Sequence, residues 1–402
     1  MRQIPFRTQV TIGGVPLKVL TWDAERHAYS GSDSCSLQLA LSSTPDLMAL
    51  SQELKGGTQK PLELQIFGGY VNPGVFGPPR LDLIFDGIVD SLEADWNDDT
   101  YYLGGRSWAY LLLTAKTTTV YPNTVASEVA RAIASKHGLD FSDGGIRSQV
   151  KAGKAYTAAQ VLAGRNVTEW DLLTSLAQFE GREIFVRGKK LYYLPEQTDG
   201  AQPQAVFYWG GVPAGSLPWK PGTITAPIEK LRATHWAQFS HDIVVTCTSL
   251  HPKNGQILTA EWDGARNKAA IQGARLGGSA PKPVAKSRRA PSRQTVRLQA
   301  PRLGNREQYK FHFVGLSKNQ LDERARAIWM DLSRHEFVCT VGLAGDTRYD
   351  VHENYLIRGT GRVIDHQVYR PKSVRLAYGA HEGFHTSLTL TSHHVQTTGS
   401  LL

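Results

Sequence analysis

Residues 373–392 read SVRLAYGAHEGFHTSLTLTS and contain a literal H-E-x-x-H at His381, Glu382 and His385. On a helix, residues four apart share a face, so two such histidines can bind one zinc ion. Here both flanks alternate polar and apolar residues, which is typical of strands, and a glycine stands on each side of the central turn. Residues four apart on a strand are separated by about 13 Å, too far to share one zinc ion. The pattern predicts a β-hairpin without a metal site, and a zinc-dependent hydrolase is the alternative hypothesis.

The composition is that of a packed globular protein rather than a disordered one. The chain has 402 residues, 41% hydrophobic and 20% charged, a length that fits two to four domains. The first residues lack an apolar signal core, and no run of about 18 apolar residues is present, so we expect a soluble, cytoplasmically made protein without membrane insertion. Cys35, Cys247 and Cys339 are far apart, which predicts reduced core residues rather than disulfides or metal ligands.

The positive charge is concentrated in one segment. Residues 264–302 contain ten Lys or Arg and no Asp or Glu, so without them the formal net charge falls by ten, from +9 to −1. Their Gly, Pro and Ser content predicts a loop. Two interpretations stay open, a solvated loop or an arm that docks on an acidic partner or on nucleic acid. The absence of aromatic residues does not favour base stacking. The candidate docking residues are Lys282, Lys286, Arg288, Arg289 and Arg293.

Periodicity predicts a β unit over 1–115, an α/β unit over 116–200 and a second β unit over 201–402. The first unit contains alternating runs and a hairpin turn at Gly13-Gly14. The second unit has two amphipathic helices and a short hairpin through Gly188. The third contains the basic loop and a helix near 317–335, where Ser317 and Gln320 form a capping box. The helix carries an apolar stripe of Leu321, Ala325, Ile328 and Leu332.

No catalytic motif is evident. The sequence lacks the glycine-rich phosphate loop, the nucleophile elbow, the dinucleotide fingerprint and Cys/His zinc spacing, so we expect no enzyme activity, cofactor or metal. Asp82, Asp86 and Asp90 are evenly spaced on one predicted strand, which is typical of a solvated strand face rather than of a catalytic carboxylate cluster.

Several stretches, in this order, resemble the late control protein D family, the baseplate hub proteins of contractile-tailed bacteriophages, and the hub part of the related VgrG proteins. No single motif is diagnostic, but together the stretches span most of the chain. They are FDGIVDSLEADWNDDTYYLGGRSWAYLLLTAK (85–116), NTVASEVARAIASKHGL (123–139), TEWDLLTSLAQFEGREIFVRGKKLYYLP (168–195), LSKNQLDERARAIWMDLSRHEF (316–337) and the hairpin at 379–390. One departure is Ser107-Trp108 after Gly105-Arg106, where the family often has an acidic residue after the arginine.

The resemblance implies an α+β, mainly β fold with two tube-like β-barrel domains flanking a small α/β domain. Three chains would close into a ring whose six barrels match a hexameric tail tube on one side and a trimeric spike on the other. The implied function is a symmetry adapter, lining a channel for the tape-measure protein and for DNA in transit.

The implied partners are two further copies of the chain, the tail tube protein, the central spike protein, the tape-measure protein and other baseplate proteins. The implied location is the tail baseplate of a virion or tailocin, after assembly in the host bacterial cytoplasm. The chain ends soon after the last hairpin, so we expect a hub separate from its spike, without a lysozyme domain. A nucleic-acid-binding module acting through the basic loop is a further alternative.

Overall fold

In a computed structural model, the chain is mainly β and divides into two compact units, residues 1–234 with 337–402, and residues 235–336. The described residues are 5–28, 31–47, 61–71, 81–117, 119, 121, 124–145, 151–152, 167–195, 202–213, 222–235, 243–250, 257–263, 307–314, 316, 318–333 and 337–392. Within them, no helix has both the length and the apolar character needed to cross a bilayer. The predicted basic loop at 264–302, with its five candidate docking residues, lies outside the described residues.

The first β part of the larger unit forms because its strands alternate between buried apolar and outward polar residues. The predicted hairpin is confirmed: Gly13 and Gly14 have φ of 57° and 83° and join β1 to β2. The strands are β1 (Phe6–Ile12), β2 (Val15–Leu17), β3 (Thr21–His27), β4 (Ser34–Ala40), β5 (Glu63–Tyr70), β6 (Asp82–Asp95) and β7 (Thr100–Ser107).

The α/β part builds its own apolar core, in which Val129, Ile133, Leu173 and Leu191 are buried. Its elements are α1 (Tyr110–Thr114), β8 (Lys116–Thr117), β9 (Thr124–Val125), α2 (Ala126–Lys136), β10 (Asp140–Ser142), β11 (Lys151–Ala152), β12 (Val167–Thr168), α3 (Glu169–Glu180), β13 (Arg182–Arg187) and β14 (Lys190–Pro195).

Helix α3 has clear start and stop signals. Thr168 and Asp171 form a reciprocal capping box at its first turn. Gly181, with φ of 64°, ends it in the left-handed conformation that lacks a steric cost only for glycine. The predicted hairpin of β13 and β14 is confirmed.

The second β part of the larger unit returns to the same sheet. Its strands are β15 (Ala205–Tyr208), β16 (Ile224–Pro227), β17 (Lys230–His235, whose last residue belongs to the smaller unit), β21 (Phe337–Ala344), β22 (Tyr355–Arg358), β23 (Val368–Gly379) and β24 (Gly383–Ser392). Strands β15, β16 and β22 pair in parallel, and β23 and β24 form the hairpin predicted at the H-E-x-x-H stretch.

The smaller unit is a three-stranded sheet with one helix against it. Its elements are β18 (Ile243–Leu250), β19 (Ile257–Asp263), β20 (Glu307–Val314) and α4 (Lys318–Ser333). The predicted helix is confirmed, but its most buried residues are Leu321, Ala325 and Trp329 rather than the full predicted stripe. Ile328 and Leu332 are half-buried, because Trp329 takes the next inward position four residues after Ala325. Ser317, half of the predicted capping box, lies outside the described residues.

One sheet runs through both β parts of the larger unit. Its central array has the strand order β17-β21-β24-β23-β3-β4-β7-β6. The connection between the two parts is the antiparallel pair β23–β3, in register from Ser373 opposite His27 to Gly379 opposite Thr21. One apolar core lies on one face of this array, with Leu37, Trp22 and Leu388 among its fully buried side chains.

Candidate functional site: the polar face of the continuous sheet

The side of the array that faces away from the core is polar. Because strand side chains alternate, each strand that buries an apolar residue presents the next residue on the opposite face. Strand β3 shows this: Trp22, Ala24 and Arg26 are buried, while Asp23 and Glu25 lie on the polar face. The polar-face residues of the neighbouring strands include Ser36, Gln38, Ser91, Glu93, Tyr102, Arg106, Thr340, Arg375, His385, Ser387 and Thr389.

A groove of about 980 Å³ follows this face. Its floor crosses β3, β4 and β7, one side is β6, and the opposite side is the β23–β24 hairpin with His381, Glu382 and His385. The hairpin turn is held in place by the backbone amide of Ala380, which donates to the carbonyl of Leu20 at 3.2 Å. The polar face is therefore concave.

Two ion pairs on this face each join two neighbouring strands. The Arg375 side chain donates to Asp23 on the neighbouring strand, and the Arg106 Nε lies 2.8 Å from an Asp90 carboxylate oxygen. Burial raises the pKa of Asp23, and the hydrogen bond and charge of Arg375 only partly offset that increase. Among the described residues, no cationic side chain pairs with Glu93 or Glu382.

The H-E-x-x-H residues do not form a helical zinc site. Gly379 pairs with Gly383, so His381 and Glu382 lie in the turn while His385 lies on β24 opposite Ala377. In the described part of the chain, no group of three His, Cys, Asp or Glu side chains is arranged to hold a metal ion. The geometry is that of the predicted hairpin, and the three residues contribute to the groove instead.

The evenly spaced carboxylates of β6 do not share one face as the sequence suggested. Two bulges, one at Ile84 and one at Asp90, shift the register of this strand against its neighbours. Asp82 and Asp86 accept hydrogen bonds from Thr347 and Trp108, respectively, and Asp90 pairs with an arginine. Each carboxylate therefore has a separate polar partner.

A partly buried ionic cluster, which sequence reasoning missed, joins three parts of the larger unit. Arg187 of β13 binds both carboxylate oxygens of Asp350, with one donor–acceptor distance of 2.7 Å. Arg26 of β3 donates to the carbonyls of Tyr349 at 2.7 Å and Ile84 at 3.2 Å. The one indication of this cluster in the sequence is Arg26, a charged residue at an inward-facing position of β3.

Charge and burial act in opposite directions in this cluster. Burial alone would raise the pKa of Asp350, but the hydrogen bonds and charge of Arg187, with Arg26 and His352, lower it well below its usual value. Burial raises the pKa of the nearby Asp33, against the hydrogen bond that its carboxylate accepts from the His27 amide. The cluster fixes the α/β part against both β parts.

The three cysteines are free, buried thiols, as predicted. Burial raises the pKa of Cys35, and it raises the pKa of Cys247 and of Cys339 to about 11. Thiols that stay protonated at neutral pH are poor nucleophiles and poor metal ligands.

Comparison with known proteins identifies the fold through structure and not through sequence. No protein-family model matches the chain, and no curated protein matches it. A tail protein from Neisseria meningitidis MC58 matches with a TM-score of 0.64 at 14% identity, covering 96% of each chain. The 43 kDa tail protein of prophage MuSo2 from Shewanella oneidensis matches with a TM-score of 0.57 at 9% identity, covering 95% of this chain and 97% of that one.

A third solved structure is prophage tail protein gp18 from Listeria monocytogenes EGD-e. Its TM-score is 0.50 at 9% identity, with coverage of 97% of this chain and 95% of that chain. Each of the three matches extends over nearly the whole length of this chain and of the matched chain. The chain has the fold of phage tail proteins, and the mainly β architecture implied by the resemblance is confirmed.

Proposed function

We propose that this protein is the hub of a phage or tailocin baseplate, a ring of three chains that joins a hexameric tail tube to a trimeric spike. The observation that carries the proposal is the eight-stranded array that runs without interruption through both β parts of the chain. Each β part contributes four strands to the array. Two such parts in each of three chains would give six positions around a ring, which fits a sixfold partner on one side and a threefold partner on the other.

The ends of the array support closure by other copies of the chain. Among the described residues, β17 has a strand neighbour on one side only, which is β21. At the other end, β5 pairs with β6 as far as Ile88, and the Val89 amide donates to the Leu62 carbonyl beside β5, so among the described residues 91–95 of β6 have β7 as their one strand neighbour. Unpaired strand edges favour association, so pairing β17 of one chain with residues 91–95 of the next would cover both.

A ring of this size is wide enough to enclose a channel. Three copies of eight strands, at about 4.8 Å per strand, give a backbone diameter on the order of 40 Å. A helical polypeptide is about 10–12 Å wide, so one passes easily even after side chains fill part of the space. The apolar face of the array is covered by the chain's own core, so the concave polar face is the one that would line the channel.

The charges of the polar face suit passage of DNA rather than its retention. On the four strands β3, β4, β7 and β6, Asp23, Glu25, Asp90 and Glu93 outnumber Arg106, whereas β17 contributes Lys230, which lies over Gly342. Tight binding to DNA depends on Lys and Arg that neutralise phosphates, and the four acidic strands supply few of them. We therefore propose that DNA and a tape-measure protein pass through the channel. The tube protein, the spike protein and other baseplate proteins are the proposed binding partners of the ring.

Light scattering of the purified protein, alone and after addition of the spike protein, tests the proposal. We expect three chains per particle in at least one of the two conditions. A particle of one chain in both conditions, with no binding to tube or spike protein, would contradict it.

The basic segment is a proposed docking arm for an acidic surface of a neighbouring baseplate protein. Its five candidate residues are Lys282, Lys286, Arg288, Arg289 and Arg293.

A further inference from the structure

Two carboxylates that have no cationic partner in the described part of the chain occupy opposite ends of the groove on the polar face. Glu93 of β6 lies opposite Tyr102, and the same cross-strand row continues through Gln38, Thr21 and Gly379. Glu382 precedes Gly383, the partner of Gly379, at the far end of the row. Four strand spacings separate the two ends, which is about 19 Å.

The floor between the two carboxylates can hold a polypeptide backbone. Gln38 and Thr21 offer hydrogen-bond donors and acceptors, and Tyr102 is an exposed aromatic side chain beside them. Tyrosine provides a large contact area at a low entropic cost, together with a polar hydroxyl. One carboxylate at each end of such a floor is complementary to an extended chain that carries two cations.

We propose that this groove binds an extended polypeptide segment carrying two lysine or arginine residues six positions apart. Residues six apart on an extended chain project from the same side and are separated by about 20 Å, which matches the distance between the two ends of the groove. One cation would pair with Glu93 and the other with Glu382, while the intervening backbone lies across Gln38 and Thr21.

This inference rests on the proposed function only for its biological setting, because in the ring the groove would face the channel. The segment would then belong to a protein that occupies the channel. Nucleic acid is disfavoured as the occupant, since its phosphates would face Glu93, Glu382 and the partly neutralised Asp23.

Fluorescence anisotropy with a labelled peptide tests the proposal. The probe is a 13-residue Ser/Thr peptide with two lysines six positions apart. The matched comparison peptide has the same composition with the lysines three apart, which places them on opposite sides of an extended chain. Both are titrated with the full-length protein at low ionic strength, where exposed charge pairs are least screened.

The test variant is Glu93→Gln with Glu382→Gln, and the matched control is Glu128→Gln with Asp140→Asn. The control removes two exposed carboxylates outside the groove, so both proteins change net charge equally. We expect saturable binding of the six-spaced peptide, weakened at least five-fold by the groove variant and less than two-fold by the control. The three-spaced peptide should bind at least five-fold more weakly to the unaltered protein.

Equal weakening by both variants would show non-specific attraction and overturn the proposal, as would an absence of saturable binding. Tighter binding of a single-stranded oligonucleotide than of the peptide would also overturn it. Light scattering of the same samples separates this inference from the proposed function. A single-chain particle that binds the peptide would support the groove and contradict the ring. A particle of three chains that does not bind the peptide would support the ring and contradict the groove.

Discussion

At the residue scale, the partly buried ionic cluster shows where sequence reasoning reached its limit. Strand β3 reads TWDAERH, and its inward positions are Trp22, Ala24 and Arg26. An arginine at a core position looks like an interruption of the apolar pattern, so periodicity did not predict this strand. In the structure, the Arg26 guanidinium donates hydrogen bonds to the backbone carbonyls of Tyr349 and Ile84, which are distant in sequence. No local pattern contains that information.

Replacement of Asp350 by asparagine should destabilise the larger unit. The change leaves the Arg187 guanidinium without its carboxylate, and breaking a fully buried pair costs about 3–5 kcal/mol. The Arg187 side chain is 37% exposed, so water compensates in part and we expect a loss of about 2 kcal/mol in the free energy of unfolding. Urea unfolding followed by tryptophan fluorescence measures it.

Glu63→Gln is the matched control for this measurement. Glu63 also pairs a β strand with the α/β part, through Lys189, but both side chains are more than 40% exposed. We expect a loss below about 1 kcal/mol. If both variants lost the same stability, the partly buried ionic cluster would not be the stronger connection between the α/β part and the β parts.

The stability difference between the unaltered protein and Asp350→Asn should depend on pH in one direction. The folded-state pKa of Asp350 lies below its unfolded value of about 3.9, so its contribution is complete above that value. The contribution is lost as pH falls from about 4 through the folded pKa. The melting-temperature difference should therefore stay constant from pH 7 to 5 and shrink below about pH 4. A melting-temperature difference that grew below about pH 4 would contradict the lowered pKa assigned to Asp350 in the folded protein.

At the element scale, the H-E-x-x-H hairpin was predictable because both strands alternate and glycines stand at its turn. Gly383 has φ of 81°, a conformation that favours glycine. The bulges of β6 were not predictable, since an extra residue leaves the composition of a strand unchanged while it moves later side chains to the other face. The parallel pairing of β15 with β22 was also missed, because it joins segments about 150 residues apart.

The double variant His381→Ala, His385→Ala should leave both the zinc content and the melting temperature unchanged. Both side chains are exposed, one in the turn and one on β24, so neither supports the core. Elemental analysis of purified protein should find zinc well below one ion per chain before and after the change. Stoichiometric zinc that disappears in the variant would instead support the zinc-hydrolase hypothesis.

Gly383→Ala is a useful comparison for the same hairpin. It should cost about 1 kcal/mol, because alanine is strained at positive φ. The comparison shows that the assay responds to changes at this turn.

At the scale of the whole molecule, the ordered stretches of sequence predicted the tail-protein fold. The continuity of the sheet did not follow, because it depends on the pairing of β3 with β23, about 350 residues apart in sequence. That pairing turns two β parts into one eight-stranded array with an apolar face and a polar face. The proposed ring would use both ends of this array.

Cryo-electron microscopy of the protein, alone or bound to its spike, tests the ring most directly. We predict three chains around a channel, with β17 of each chain hydrogen-bonded to residues 91–95 of the next and the polar face turned inward. A single-chain particle, or a ring in which these two strand edges stay apart, would contradict the account.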